Sequence, residues 1–135
     1  MSRYLLDTEL LLWWLTGDRR LPAWGAAMLQ LPATSVLVSH ASLWELAEKH
    51  GAGWFRLASG LGLADLVQEV NRLGLRWLAV EPHHLQALSR LPDEPHPYDP
   101  FDRLLVAQAR SEPLILVSGD PAMKRYGATV LLLHA

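Results

Sequence analysis

Short apolar runs alternate with longer stretches of helical periodicity along almost the whole chain. Arg3 to Leu6 opens a strand. Thr8 starts a helix that runs to Leu15 and closes at Gly17. Pro22 to Leu29 forms a second helix, with Pro22 suited to its first turn because it lacks the N–H that goes unpaired there. The β-branched, apolar run Ser35 to Val38 is a strand, and Ser39 to Lys49 is a helix closing near Gly51. Leu63, Leu66, Val70 and Leu73 share one face of an amphipathic helix. Leu75 to Val80 is a strand, and His83 to Ser89 a helix after Pro82. Pro92, Pro95, Pro97 and Pro100 make Leu91 to Pro100 a loop, since proline continues neither a helix nor a central strand. A helix over Pro100 to Arg110, a strand over Leu114 to Val117, a short helical turn over Pro121 to Arg125 and a last strand over Thr129 to Leu133 complete the order.

Strands that alternate with helices predict an α/β fold: three layers, α/β/α, around a central, mostly parallel sheet. With no repeat and no long linker, residues 1–135 read as a single domain, a size one core can serve. Half of the residues are hydrophobic and 19% are charged, which excludes a disordered chain. The absence of cysteine excludes disulfides and thiolate metal sites. No secretory signal is visible. The apolar stretch Leu5 to Leu15 is broken by Asp7, Thr8 and Glu9 and falls short of the roughly 20 residues a membrane span requires. The expectation is a cytoplasmic protein without a membrane partner. A net charge of −2 argues against a protein that coats nucleic acid through phosphate charge alone. It is compatible with an enzyme that offsets phosphate charge with a metal ion.

In parallel α/β sheets, ligands sit beyond the C-terminal ends of the strands. Of the 14 acidic residues, Asp7 and Asp120 follow strands directly, and Glu45 lies in the helix that begins right after one. Asp102 stands in the first turn of the helix behind the proline loop. Carboxylates on separate elements suit Mg²⁺ or Mn²⁺, hard cations that prefer oxygen ligands. Each acid also has a plainer explanation. Asp7, Asp99 and Asp120 are suited to helix N-caps. Glu45 can pair with Lys49 one turn on and completes the capping-box spacing Ser42-x-x-Glu45, which by itself places it on the surface. Pro100 at the first helical position makes Asp99 the cap and leaves the side chain of Asp102 uncommitted, its charge favoured by the helix end. This much leaves several metal-binding α/β classes open.

Local sequence narrows them. Tyr4-Leu-Leu-Asp7-Thr8, Ser39-His-Ala-Ser42-Leu-Trp-Glu45, Asp99-Pro-Phe-Asp102-Arg-Leu-Leu-Val-Ala-Gln-Ala109 and Leu116-Val-Ser118-Gly-Asp120-Pro-Ala-Met-Lys-Arg-Tyr126 occur in order over nearly the whole chain. They resemble the four motifs of the PIN-domain family, and most closely its VapC-type toxin branch. The resemblance implies a Mg²⁺- or Mn²⁺-dependent endoribonuclease, the toxin of a toxin–antitoxin pair, acting on RNA. It also implies a cognate antitoxin and commonly a homodimer. It makes Asp7, Glu45, Asp102 and Asp120 catalytic and metal-holding, with Ser118 in support and Asp99 as the cap. The proline-rich lead-in His96-Pro-Tyr98 departs from the family pattern. The alternative is a PIN fold that binds RNA or signals without nuclease activity.

Rival classes fit less well. A haloacid-dehalogenase-type phosphatase needs a second aspartate two residues after the nucleophile, where this chain has Glu9. A receiver domain needs an aspartate ending a middle strand, where the run Leu75 to Val80 ends in Glu81-Pro82. His83 and His84 are adjacent on a helix and should not share a face, so a joint metal site is not expected. The six tryptophans are expected mostly in the core, with Trp13 or Trp14 partly exposed in a partner-binding surface. Arg103, Lys124 and Arg125 lie near the motifs and rank low as phosphate contacts.

Overall fold

A computed structural model describes residues 2–51, 62–93 and 99–133 of the chain, with the side chains of residues 50 and 51 left out. His96-Pro-Tyr98 and Trp54 lie outside the described residues. The elements are β1 (Ser2–Leu6), α1 (Thr8–Thr16), α2 (Ala23–Leu29), β2 (Thr34–Ser39), α3 (His40–Gly51), α4 (Leu63–Arg72), β3 (Arg76–Leu78), α5 (Pro82–Ser89), α6 (Pro100–Ser111), β4 (Ile115–Ser118), a 3-10 segment (Pro121–Thr129) and β5 (Val130–Leu132). The strands pair in the order β3-β2-β1-β4-β5, every pair parallel. The sheet expected to be mostly parallel is parallel throughout.

Side-chain alternation along the strands feeds two cores. Tyr4, Leu6, Val36, Val38 and Val117 pack on one face with Leu10, Leu11, Trp13, Leu29, Leu66 and Val70 from α1, α2 and α4. Leu5, Leu37 and Leu116 pack on the other with Leu104, Leu105, Val106 and Ala109 of α6 and with Met123 and Tyr126. The near-continuous apolar runs of β1, β2 and β4 follow from this, since strands covered on both faces have no solvent side. α3 contributes Leu46 to the first core and Ala41 to the second. It therefore sits at the C-terminal edge of the sheet, between the two layers.

The boundaries differ from expectation mainly near the C-terminus. The turn expected over Pro121 to Arg125 extends to Thr129, kinked at Gly127, so β5 begins at Val130. Pairing of β3 is limited to Arg76–Leu78, matched to Leu37–Ser39 of β2. α1 stops at Gly17, whose φ of 66° lets the Asp18 N–H turn back to the Trp13 carbonyl (2.9 Å). No helix among the described residues is long and apolar enough to cross a membrane.

The tryptophans depart from the expected core packing. Of those described, Trp13 is buried, Trp14 and Trp77 are half-buried, and Trp24 and Trp44 are each 56% exposed. Hydrophobicity alone does not place an indole, because the helical face it falls on decides its burial.

Candidate active site

Asp7 follows β1 directly. Its N–H donates to the Val117 carbonyl (3.0 Å), which extends the β1–β4 pairing by one residue and fixes Asp7 between the two central strands. Its Oδ1 caps α1 by accepting from the Leu10 N–H (2.7 Å), and its Oδ2 accepts from the Ser118 hydroxyl. The cap role and the site role therefore fall on one residue. Ser118 ends β4, fully buried, and its Oγ also accepts the Asp120 N–H (3.1 Å). One hydroxyl thus ties Asp7 to Asp120. Asp120 is exposed and caps the 3-10 segment through the Ala122 N–H (2.9 Å).

Glu45 is buried, against the reading that placed it on the surface. The capping box is absent because α3 starts at His40, three residues earlier than that motif requires. Ser39 Oγ accepts from the Ala41 N–H (2.9 Å) at the helix start. Ser42 lies inside the helix and accepts from the Thr8 hydroxyl (2.9 Å), locking α1 against α3. The ion pair with Lys49 is present through Oε2. Glu45 Oε1 is buried with no hydrogen-bond partner among the described residues. An unpaired buried carboxylate oxygen is costly, and it fits a site that takes a cation or a donor.

Asp99 caps α6, accepting from the N–H groups of Phe101 (2.8 Å) and Asp102 (3.4 Å). Asp102 is left to face the cleft, with Val106 and Ala109 buried behind it on the same helix. Its charge is not favoured as the helix end alone suggests. Burial, then the charges of Asp99, Asp7, Glu45 and Asp120, push its carboxyl up to about 7. Asp7 is also pushed up to about 7, chiefly by burial. Desolvation outweighs carboxylate repulsion at both positions, because the helix ends and strand ends that bring the acids together also exclude water.

The result is a cleft of about 190 Å³ that gathers Asp7, Glu45, Asp99, Asp102 and Asp120 with Lys49. Four different connections of the sheet supply these acids. Every candidate ligand atom there is a carboxylate oxygen, the donor set of a hard divalent cation. The cleft continues outward past Phe101 and Arg125. Arg103 instead donates to the Pro92 carbonyl (2.9 Å), and Lys124 is exposed outside both parts of the cleft.

A polar network behind the site was missed in the sequence. Ser39 donates to Gln108 Oε1 (2.5 Å), and Gln108 Nε2 lies 3.3 Å from both the Ala79 carbonyl and His84 Nδ1. It joins the end of β2, from which α3 with Glu45 starts, to α6, which carries Asp102. The two histidines also do what helix spacing argued against. Both Nε2 atoms meet Glu112 Oε2, at 3.0 Å from His83 and 2.5 Å from His84. They sit in the first turn of α5, where the two rings can converge on a carboxylate at the end of α6. The grouping has metal-ligand composition, but its hydrogen bonds oppose that use. His84 Nδ1 accepts the Glu81 N–H (2.9 Å), which places the ring proton on Nε2, the atom a metal would need. The histidine contacts, His84 first, hold the Glu112 carboxyl below its usual range.

The fold and the motifs have counterparts. VapBC2 of Rickettsia felis, bound to a DNA fragment from its promoter, matches with a TM-score of 0.64 at 15% identity over 97% of each chain. DNA-bound VapBC of Salmonella typhimurium matches at 0.63 and 20% identity over 95% of each. VapBC-5 of Mycobacterium tuberculosis matches at 0.59 and 16% identity over the whole of each. No curated protein sequence matches. The family model of the PIN domain covers residues 4–128, which include all four acidic motifs, and the chain belongs to the PIN domain family.

Proposed function

We propose that this chain is a divalent-cation-dependent endoribonuclease, the toxin of a toxin–antitoxin pair. The observation that carries the reading is the convergence of Asp7, Glu45, Asp102 and Asp120 on one cleft, with Glu45 Oε1 buried and unpaired among the described residues. Mg²⁺ or Mn²⁺ fits this all-oxygen set, and these four residues would hold it. When bound, such a cation supplies Lewis-acid stabilisation of the phosphate and a nucleophilic water at neutral pH.

The chain's own residues do the rest. Asp7 is kept in one orientation by Leu10 N–H and the Ser118 hydroxyl, so its carboxylate needs little reorganisation. Ser118 holds the Asp120 backbone beside it. Lys49 engages one oxygen of Glu45 and leaves the other without a hydrogen-bond partner among the described residues. Asp102, raised by burial and by the neighbouring carboxylates, would gain most from a bound cation that offsets their charge.

VapBC-5 of Mycobacterium tuberculosis is a member of a family of toxin–antitoxin systems, which supports an antitoxin partner for this chain, and a cytoplasmic setting belongs to the same reading. The partner would cover part of α1 and α2, where Trp13, expected as one possible contact, is buried and Trp14 and the exposed Trp24 are accessible instead. A homodimer belongs to the same reading.

Total RNA incubated with the purified chain should be cut only when Mg²⁺ or Mn²⁺ is present, with discrete mapped ends. An intact RNA pool after incubation with folded, metal-supplied protein sinks the nuclease reading and leaves an RNA-binding or signalling role.

The neighbouring acids of α6 give a second expectation. Asp99→Asn should keep most activity, since asparagine also caps, and Asp99→Ala should cost about 1 kcal/mol of stability. Asp102→Asn should lose divalent-cation affinity and cleavage with the fold intact. Calorimetric Mg²⁺ titration beside thermal melts decides it. A dead Asp99→Asn and an active Asp102→Asn would assign the ligand to the other acid.

A further inference from the structure

Two aromatic residues stand next to site acids in sequence. Trp44 precedes Glu45 on α3, and Phe101 precedes Asp102 on α6. One helical step turns a side chain by about 100°, so while Glu45 points into the cleft, Trp44 is directed to its rim. The two rings meet edge to face, with centroids 4.8 Å apart and planes at 76°. Phe101 lines the outer part of the cleft together with Asp102, Asp120, Lys49 and Arg125. Phe101 is therefore part of the cleft's outer wall, and Trp44 packs against it from beside the cleft. Trp44 nevertheless stays 56% exposed. Among the described residues, the exposed Trp24 and Leu85 stand on α2 and α5, which carry none of the four acids.

A substrate polyanion gains little from this chain's net charge of −2, and the cleft itself is lined by carboxylates. Counterion release, the usual source of nucleic-acid affinity, is weak under these conditions. Affinity must then come from the cation-bridged phosphate and from non-ionic contacts. An indole fixed by an edge-to-face neighbour offers such a contact, since every base has a π-face and stacking is tolerant of sequence. Only an unpaired base can present that face, because bases in a duplex are already stacked.

Resting on the nuclease reading, we propose that Trp44, held by Phe101, is a stacking platform for an unpaired nucleobase next to the scissile phosphate. Phe101, which holds the indole, also lines the outer cleft that leads to Asp102 and Asp120, and this placement beside the acids favours the nucleobase as occupant. Lys49 and Arg125 border the path between platform and acids, where the intervening phosphate would pass.

The test combines steady-state cleavage of a single-stranded RNA oligonucleotide with the fluorescence of 2-aminopurine placed at successive positions of that oligonucleotide in an Asp7→Asn background. Trp44→Ala should raise KM by about 5- to 100-fold with kcat changed less than about threefold, and Trp44→Phe should restore most of the loss. Aminopurine quenching at one position should disappear with Trp44→Ala and return with Trp44→Phe. Circular-dichroism melts confirm folding, and the exposure of Trp44 makes both variants tolerable. Unchanged KM and quenching in Trp44→Ala, with the wild type cutting RNA, overturn the platform and leave the nuclease reading standing. A Trp44→Ala variant that alters self-association or antitoxin binding but not KM or quenching assigns the patch to a protein contact and also overturns it. Absence of cleavage by the wild type defeats the nuclease reading separately, and the quenching arm still decides whether Trp44 stacks a base.

Discussion

Asp7→Asn is expected to end RNA cleavage, by on the order of 10³-fold or more, while making the metal-free protein harder to unfold. Asp7 is 4% exposed, and burial raises its carboxyl to about 7, against 3.8 in an ordinary setting. Between those two values the folded chain keeps a proton that the unfolded chain gives up. Folding is then favoured by protonation, and stability from this group is fully present below pH ~4, declines as pH rises, and is lost above pH ~7. Three pH units correspond to about 4 kcal/mol, so near neutral pH the bare carboxylate is a substantial burden. Asparagine carries no charge to desolvate, can still cap α1 toward Leu10, and can pair with Ser118 once the hydroxyl rotates.

The measurement is the difference in melting temperature between Asp7→Asn and wild type in chelator, from pH 4.5 to 8. The difference isolates Asp7 from Glu112 and Glu69, whose lowered carboxyls act in the opposite direction on acidification. It should be small at pH 4.5, grow through pH 7 and then level off. Mg²⁺ should stabilise the wild type increasingly as pH rises, because it binds the ionised cluster in the folded state alone, and it should stabilise the variant much less. A flat difference across this range, or a folded Asp7→Asn that cuts RNA at the wild-type rate, removes Asp7 from the site.

Much of this geometry was readable before any coordinates. The apolar runs of β1, β2 and β4 could only be strands buried on both faces, and parallel topology then places whatever follows a strand at one edge. That is why the placement of Asp7 and Asp120 at that edge is legible from position, and why Pro100 separates the capping Asp99 from Asp102. Less readable were features that depend on packing between distant elements. Lys49 one turn after Glu45 looks like a surface pair, and only the meeting of α1, α3 and α6 buries the carboxylate. The helix end suggested a favoured charge on Asp102, but burial and four neighbouring carboxylates won. His83 and His84 converge because Glu112, 28 residues beyond His84, ends α6 beside the first turn of α5. Exposure of Trp44 follows from the face it occupies, which composition does not reveal.

Gly119 is the residue whose importance the motif concealed most fully, and Gly119→Ala is expected to be among the most damaging single-methyl changes in the chain. The backbone there has no positive φ, so glycine is not needed for conformation. It is needed for room. A Cβ at this position would lie 2.1 Å from Cζ3 and 2.3 Å from Cη2 of Trp13. That indole is buried in the first core with Leu10 and Leu11, and the Arg20 guanidinium lies 4.9 Å from the ring centre. A rigid ring so enclosed cannot swing aside, so the strain passes into the backbone between Ser118 and Asp120. Those two residues carry the hydroxyl that orients Asp7 and the N–H that it accepts. Overpacking of this kind costs about 3 kcal/mol, which for a chain of 135 residues lowers Tm by about 10 °C. Cleavage should fall further than the folded fraction does, because the site is displaced as well as destabilised. Trp13→Leu removes the two clashing ring atoms. In that background Gly119→Ala should cost less than about 1 kcal/mol, giving a coupling of about 2 kcal/mol in the double-mutant cycle. Additive melting temperatures in the cycle, or a Gly119→Ala protein that melts and cleaves like wild type, would show that Trp13 does not constrain the Ser118–Asp120 turn.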